Sequence, residues 1–162
     1  MLNLALVRVD DRLIHGQVVA VWMRALSANR IIIVDDKVAK DAFMQDILAM
    51  AAPPGVPVEA FTVADAVEVL KGEPAPGEKV IVLMKNPAAA VALRAAGVAI
   101  THLNVGGMGA GPGRKSLYRN ISASQEEINM LKLLSDQGVE VEFRIVAEEK
   151  GVSLANVLAG RK

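Results

Sequence analysis

The chain contains no cysteine. That excludes a disulfide framework, thiolate metal sites and cysteine nucleophiles, and it fits a reducing compartment. Net charge is also missing: 18 lysines and arginines balance 18 aspartates and glutamates. A neutral chain offers no broad electrostatic footprint to nucleic acid or to an anionic membrane, so neither is expected as a partner. No hydrophobic run is long enough to span a bilayer, which takes about 20 residues. The apolar start, "MLNLALVRVDD", is too short for that and has no basic leader, so it reads as a strand of a cytosolic chain complete in itself. Histidine is scarce, with two in all, His15 and His102, and neither has an acid cluster nearby. No metal and no cofactor are expected.

What is present is a regular alternation. A hydrophobic content of 52% over 162 residues suffices for a well-buried core, and the length fits a single domain spanning 1–162. "LNLALVRV" (Leu2–Val9) is almost continuously apolar, as a strand buried on both faces should be. Val18, Val19, Trp22, Ala25 and Leu26 then recur on one helical face. "RIIIVDD" (Arg30–Asp36) is a second strand. Phe43, Met44, Ile47, Leu48 and Ala51 carry a second helix up to "PPG" (Pro53–Gly55). "VPVEAFTV" (Val56–Val63) and "KVIVLMKN" (Lys79–Asn86) are strands separated by a short helix at Ala66, Val67 and Leu70. Asn86 and Pro87 start another helix, which Gly97 stops. "ITHLNV" (Ile100–Val105) is a fifth strand, and "LYRNI" (Leu117–Ile121) an edge strand. Ser124 and Glu127 form a capping box, "VEVEFRIV" (Val139–Val146) is a less buried strand, and Ser153 caps a last helix. Such alternation means βαβ units: an α/β fold with an open twisted, mostly parallel sheet of about six or seven strands and helices on both faces.

Ligands of open α/β sheets bind beyond the carboxyl ends of the strands. The loops there are Asp10–Gly16, Asp35–Lys37, Lys85–Pro87 and Gly106–Ser116. The first, within "RVDDRLIHGQV" (Arg8–Val18), is the richest. His15 falls at the start of a helix, where free N–H groups and the positive dipole end favour an anion. Arg12 offers a planar fork suited to phosphate oxygens. Asp10 or Asp11 is expected to hydrogen-bond one His15 ring nitrogen and so select the nucleophilic one. This is a consistent phosphohistidine site. The same residues also fit a histidine that caps a helix, two aspartates that close a strand and an arginine in salt bridges, and the residues alone leave both open. His102 reads as a satisfied core or strand-end histidine, and Asp35 and Asp36 as the acidic start of the next helix. "GGMGAGPGRKS" (Gly106–Ser116) is not a nucleotide loop, because Arg114 stands where a phosphate loop needs its second glycine. It reads as a flexible basic loop bordering an anion or partner site, or as a surface loop without a role.

"RVDDRLIHGQV", the tryptophan-containing helix after it and "IIIVDDKVAKD" together resemble the IIB component of the mannose/fructose/sorbose family of the bacterial phosphoenolpyruvate-dependent phosphotransferase system. "LMKNP" (Leu83–Pro87), "LNVGGM" (Leu103–Met108) and "VEVEFRIV" come in family order, so the resemblance covers nearly the whole chain. It implies a cytoplasmic phosphoryl carrier, associated peripherally with a membrane permease. His15 would accept a phosphoryl group through Nδ1 from a phosphohistidine of the IIA component and pass it to a sugar held by the membrane IIC–IID complex. Arg12 would stabilise that group, Asp10 belongs to the same loop, and Gly16 and Gln17 would help bind the phosphoryl oxygens. Self-association is left open. The family usually carries bulkier or charged residues after "NVGGM", so "GAGPGRKS" puts partner choice and sugar identity in question. A receiver-like signalling domain is the rival, with Asp10 and Asp11 as its acidic pair and Lys85 before Pro87, but neither "EAFTV" nor the residues after it offer a convincing phosphoacceptor aspartate. A regulatory module that keeps the fold without sugar phosphotransfer is a second.

Overall fold

The computed structural model describes residues 1–160; the last two positions of the expected domain lie outside the described residues. Strands β1 (Leu4–Asp10), β2 (Arg30–Val34), β3 (Val58–Phe61), β4 (Val80–Met84), β5 (His102–Gly107) and β8 (Glu140–Phe143) all run parallel. The two-residue strand β9 (Val152–Ser153) pairs antiparallel with β8, which gives a seven-stranded sheet ordered β3-β2-β4-β1-β5-β8-β9.

The apolar runs are buried on both faces because successive side chains point to opposite sides of the sheet. Ile31 and Ile33 of β2 pack with Ile81 and Leu83 under helices α1 (Gly16–Leu26) and α2 (Ala42–Ala51). Ile32 and Val34 face the other way, into a second cluster to which α3 (Val63–Leu70), α4 (Pro87–Ala95), α5 (Gln125–Asp136) and α6 (Leu154–Ala159) contribute along the sheet. The chain leaves β1 for α1 on one face, and leaves the adjacent β4 for α4 on the other. That reversal puts the topological switch point between β1 and β4, beside the Asp10–His15 loop.

Caps start the helices where expected: Asn86 accepts from Ala88 N–H with Pro87 at the first turn, Ser124 and Glu127 form the reciprocal box, and Ser153 accepts from Asn156 N–H. Several expectations need correction. "LYRNI" is not one edge strand but the bend of a hairpin. Arg119 takes a left-handed backbone (φ 51°), so the chain folds back from β6 (Lys115–Tyr118) into β7 (Ile121–Ala123). Val63 begins α3 rather than ending a strand, because Thr62 caps it. The apolar positions of α2 do not turn inward together. Leu48 is buried, but Phe43 (74% exposed) and Met50 (79%) face outward, since the edge strand β3 leaves little sheet for that helix to cover. Asp35 accepts from Lys37 and Val38 N–H ahead of the short 3-10 turn at Val38–Lys40 and Asp36 accepts from Val63 N–H, while Asp41 caps α2.

Candidate functional site

The β1–α1 loop is held by alternating burial. Leu13 N–H donates to Asp10 C=O at 2.8 Å, closing a turn, and Leu13 then takes a left-handed backbone with φ 59°. That conformation costs a non-glycine residue about 1–2 kcal/mol. Burial of the Leu13 side chain, worth about 1.5–3 kcal/mol, offsets the strain. Ile14 is buried as well, so the two apolar side chains anchor the loop while Arg12 and His15 stay exposed on either side of them.

His15 is the residue immediately before α1, and its side chain caps nothing. Its carbonyl accepts the first helical bonds, from Val18 and Val19 N–H. The N–H groups of Gly16 and Gln17, the first two of the helix, lie ahead of those bonds and have no partner within the helix. His15 thus occupies the cap position of α1 without capping it through its side chain, while Asp10 does close β1 and Arg12 does form a salt bridge. The expectation that Asp10 or Asp11 holds a His15 ring nitrogen fails: neither carboxylate bonds to His15 among the described residues, because both are turned away from the helix start.

Asp10 is spent on arginines. Its Oδ1 accepts from Arg12 N–H at 3.1 Å and from Arg12 Nε at 3.0 Å, and its Oδ2 from Arg12 Nη2 at 3.0 Å. This two-pronged grip fixes the plane of the Arg12 fork and raises its pKa, the hydrogen bond to Asp10 being the main cause. The Arg12 side chain remains 43% exposed, with Nη1 and one Nη2 hydrogen still to offer. Asp11 instead accepts from Gly109 N–H at 2.7 Å and lies 3.6 Å from Arg114 Nη1.

Beneath Asp10 sits a residue not singled out by its sequence context. Arg8 is 1% exposed. Its Nη2 donates to Asp10 Oδ2 at 3.2 Å and to Ile145 C=O at 2.8 Å; its Nη1 donates to Asn104 Oδ1 at 2.6 Å and to Arg144 C=O at 3.0 Å. Burial pushes its pKa down, and Asp10 pulls against that. Its guanidinium lies 5.5 Å from the centre of the Trp22 ring, with Arg144 at 4.9 Å from the same ring. The glycines of "NVGGM" explain themselves here. A Cβ on Gly106 would overlap the Arg8 guanidinium, and one on Gly107 would stand 2.7 Å from Asp10 Oδ1. A lone arginine inside an apolar strand, with a Gly-Gly pair elsewhere in the chain, was the available signal.

The glycine-rich loop is clasped, not free. Arg114 donates through Nε and Nη2 to both Glu127 oxygens, at 3.0 and 2.8 Å, and through Nη1 to Gly109 C=O. Its cation is thus used internally rather than offered at the surface. His102 stands apart from the site, at the start of β5, where its Nε2 lies 2.9 Å from Glu140 of the neighbouring strand. Among the described residues no three His, Asp or Glu side chains gather as metal ligands, and no helix is long and apolar enough to cross a membrane.

An Arg–Asp–Arg column, buried at Arg8 and Asp10 and exposed at Arg12, in the same loop as an exposed histidine at a helix start fits anion chemistry, and comparison with known proteins places the chain. The family model described as the sorbose-subfamily IIB component of the phosphotransferase system matches residues 4–162. The chain belongs to that family. It is 37% identical, over 94% of its length and 93% of the relative's, to the sorbose-specific EIIB component of Klebsiella pneumoniae. It is 35% identical to the mannose-specific EIIAB component of Escherichia coli K12, with 96% of this chain and 48% of that one covered. Among solved structures, the IIBSor domain of the Klebsiella pneumoniae sorbose permease superposes with a TM-score of 0.91 at 35% identity, covering 99% of both chains. The α/β architecture with a mostly parallel seven-stranded sheet is therefore that of the IIB components, and the activity is phosphoryl transfer in sugar uptake.

Proposed function

We propose that His15 is the phosphoryl carrier of this IIB component. His15 Nδ1 attacks the phosphorus of a phosphohistidine on a IIA partner. The new N–P bond forms as the donor's N–P bond breaks, the donor ring gains the proton that the acceptor ring sheds, and no cofactor is consumed. In the second step a sugar hydroxyl attacks the same phosphorus at a membrane IIC–IID complex, and its proton passes to the departing imidazole. Both displacements need positioning and charge stabilisation more than covalent help from the protein. The observation that carries this reading is the exposed His15, capping nothing, at a helix start whose first N–H groups, of Gly16 and Gln17, have no helical partner, in the same loop as the held fork of Arg12. Asp10 serves by orienting Arg12.

The test is label transfer from phosphoenolpyruvate through the general phosphotransferase proteins and a cognate IIA. Wild-type protein takes up label that is lost in acid and survives alkali, and His15→Ala takes up none. Label on His15→Ala would refute the assignment, and an alkali-labile bond would point instead to an acyl phosphate, as in a receiver domain. A folded protein that accepts label yet passes none to sugar at the permease would favour a regulatory module.

A further inference from the structure

Arg12 is oriented by a carboxylate that also cancels its charge. With both Asp10 oxygens engaged by Arg12, the pair alone is neutral and holds little attraction for a phosphoryl dianion. Arg8 changes the sum. It meets the same Asp10 Oδ2 from below, so the column holds two cations and one anion. Its other three acceptors, Asn104 Oδ1 and the Arg144 and Ile145 carbonyls, are neutral and do not cancel it again. Glu149 is matched elsewhere, by Arg119 Nη1 at 2.7 Å, but Asp11 must be counted: Arg114, 3.6 Å away, is already held by both Glu127 oxygens, so Arg8 and Arg12 face Asp10 and Asp11, two cations against two anions.

We propose that Arg8 is a positioning residue for phosphoryl transfer: buried beneath Asp10, it offsets that carboxylate so that Asp10 can orient Arg12 without leaving the loop, which also carries Asp11, with a net negative charge toward the phosphoryl group. The proposal rests on the reading of His15 as the carrier. The room reserved for the guanidinium at Gly106 shows that the strand is shaped around it. A purely structural Arg8 would affect stability alone. A charge-balancing Arg8 also sets the electrostatic surroundings of the phosphoryl group.

The experiment is a pH titration by phosphorus NMR of the protein phosphorylated through phosphoenolpyruvate, the general proteins and IIA. Asn104→Asp places a carboxylate against Arg8 at unchanged side-chain size and neutralises Arg8 in place, at the cost of the bond that Asn104 Nδ2 donates to the Arg144 carbonyl at 3.1 Å. The pKa of the phosphoryl group then rises by about one unit. Arg8→Gln gives the same rise, and Arg8→Lys, which keeps the charge, stays near wild type. If Arg8→Gln does not fold, Asn104→Asp decides alone, because the buried cation gains a charged partner in exchange for the lost Asn104 Nδ2 bond. An unmoved phosphoryl pKa in folded Asn104→Asp overturns the proposal. Absence of label on wild-type protein would instead count against His15 as carrier, so the two failures are distinct.

Discussion

Replacing Gly106 by alanine should be far more damaging than one methyl group implies. The added Cβ would lie inside the van der Waals envelope of the Arg8 guanidinium carbon and both its terminal nitrogens. The backbone cannot retreat, because β5 is pinned between β1 and β8. The guanidinium must leave, which breaks its bonds to Asn104, Arg144, Ile145 and Asp10. Each buried acceptor left empty costs about 1–3 kcal/mol, while the expelled cation regains hydration. The balance is that of breaking a buried charged pair, about 3–5 kcal/mol. With a urea slope of about 1–3 kcal/mol/M, the unfolding midpoint should fall by roughly 2 M. The discriminating assay repeats the substitution in an Arg8→Ala background, where the methyl enters vacated space and its added cost drops below about 1 kcal/mol. Equal costs in the two backgrounds, or a near-neutral Gly106→Ala in wild type, would refute the steric argument.

Gly16 makes a contrasting case: a Cβ there meets no heavy atom within 4 Å and the backbone is not left-handed. Gly16→Ala should therefore leave stability unchanged or raise it by up to about 1 kcal/mol, yet slow label uptake from IIA by crowding the approach to His15. Thermal melts paired with transfer kinetics check this, and unimpaired transfer would show that the open space serves nothing. Glu127 supplies a pH dependence. Burial works against its carboxylate, but the Arg114 and Ser124 hydrogen bonds outweigh it and hold the pKa below the ordinary value. A depressed folded pKa means stability that is full above the unfolded value of about 4.3 and is lost as pH falls through the folded one. Arg114→Met should thus cost about 1–3 kcal/mol at neutral pH, and its deficit against wild type should narrow in urea titrations taken below about pH 4. A deficit that stays constant down to about pH 3 would exclude the ion pair as its source.

Much of this protein was legible along the chain. Strands such as "RIIIV" and "VIVLM" declare themselves because a strand buried on both faces has no polar position to hide. The caps at Asn86, Ser124 and Ser153 declare themselves because a helix start needs a side-chain acceptor within three residues. His15 before a helix, with Arg12 nearby, was visible because both lie within a few residues of the strand end. What sequence could not supply is the partner of each polar group. Asp10 and Asp11 stood close to His15 in the chain and were expected to hold it, yet the turn at Leu13 aims them at Arg8, Arg12 and Gly109. The outward face of α2 was hidden likewise, because helical spacing defines a stripe but not whether a neighbour covers it.

The sequence by itself determined the order of strands and helices, their caps and the loop in which chemistry collects, all of which depend on residues a few positions apart. Only the tertiary structure decided that a buried arginine from β1, an asparagine and a glycine from β5 and two carbonyls after β8 converge beneath Asp10. Those groups are as much as 137 positions apart in the chain. Strand pairing brings them together, and local periodicity carries no record of which strands pair.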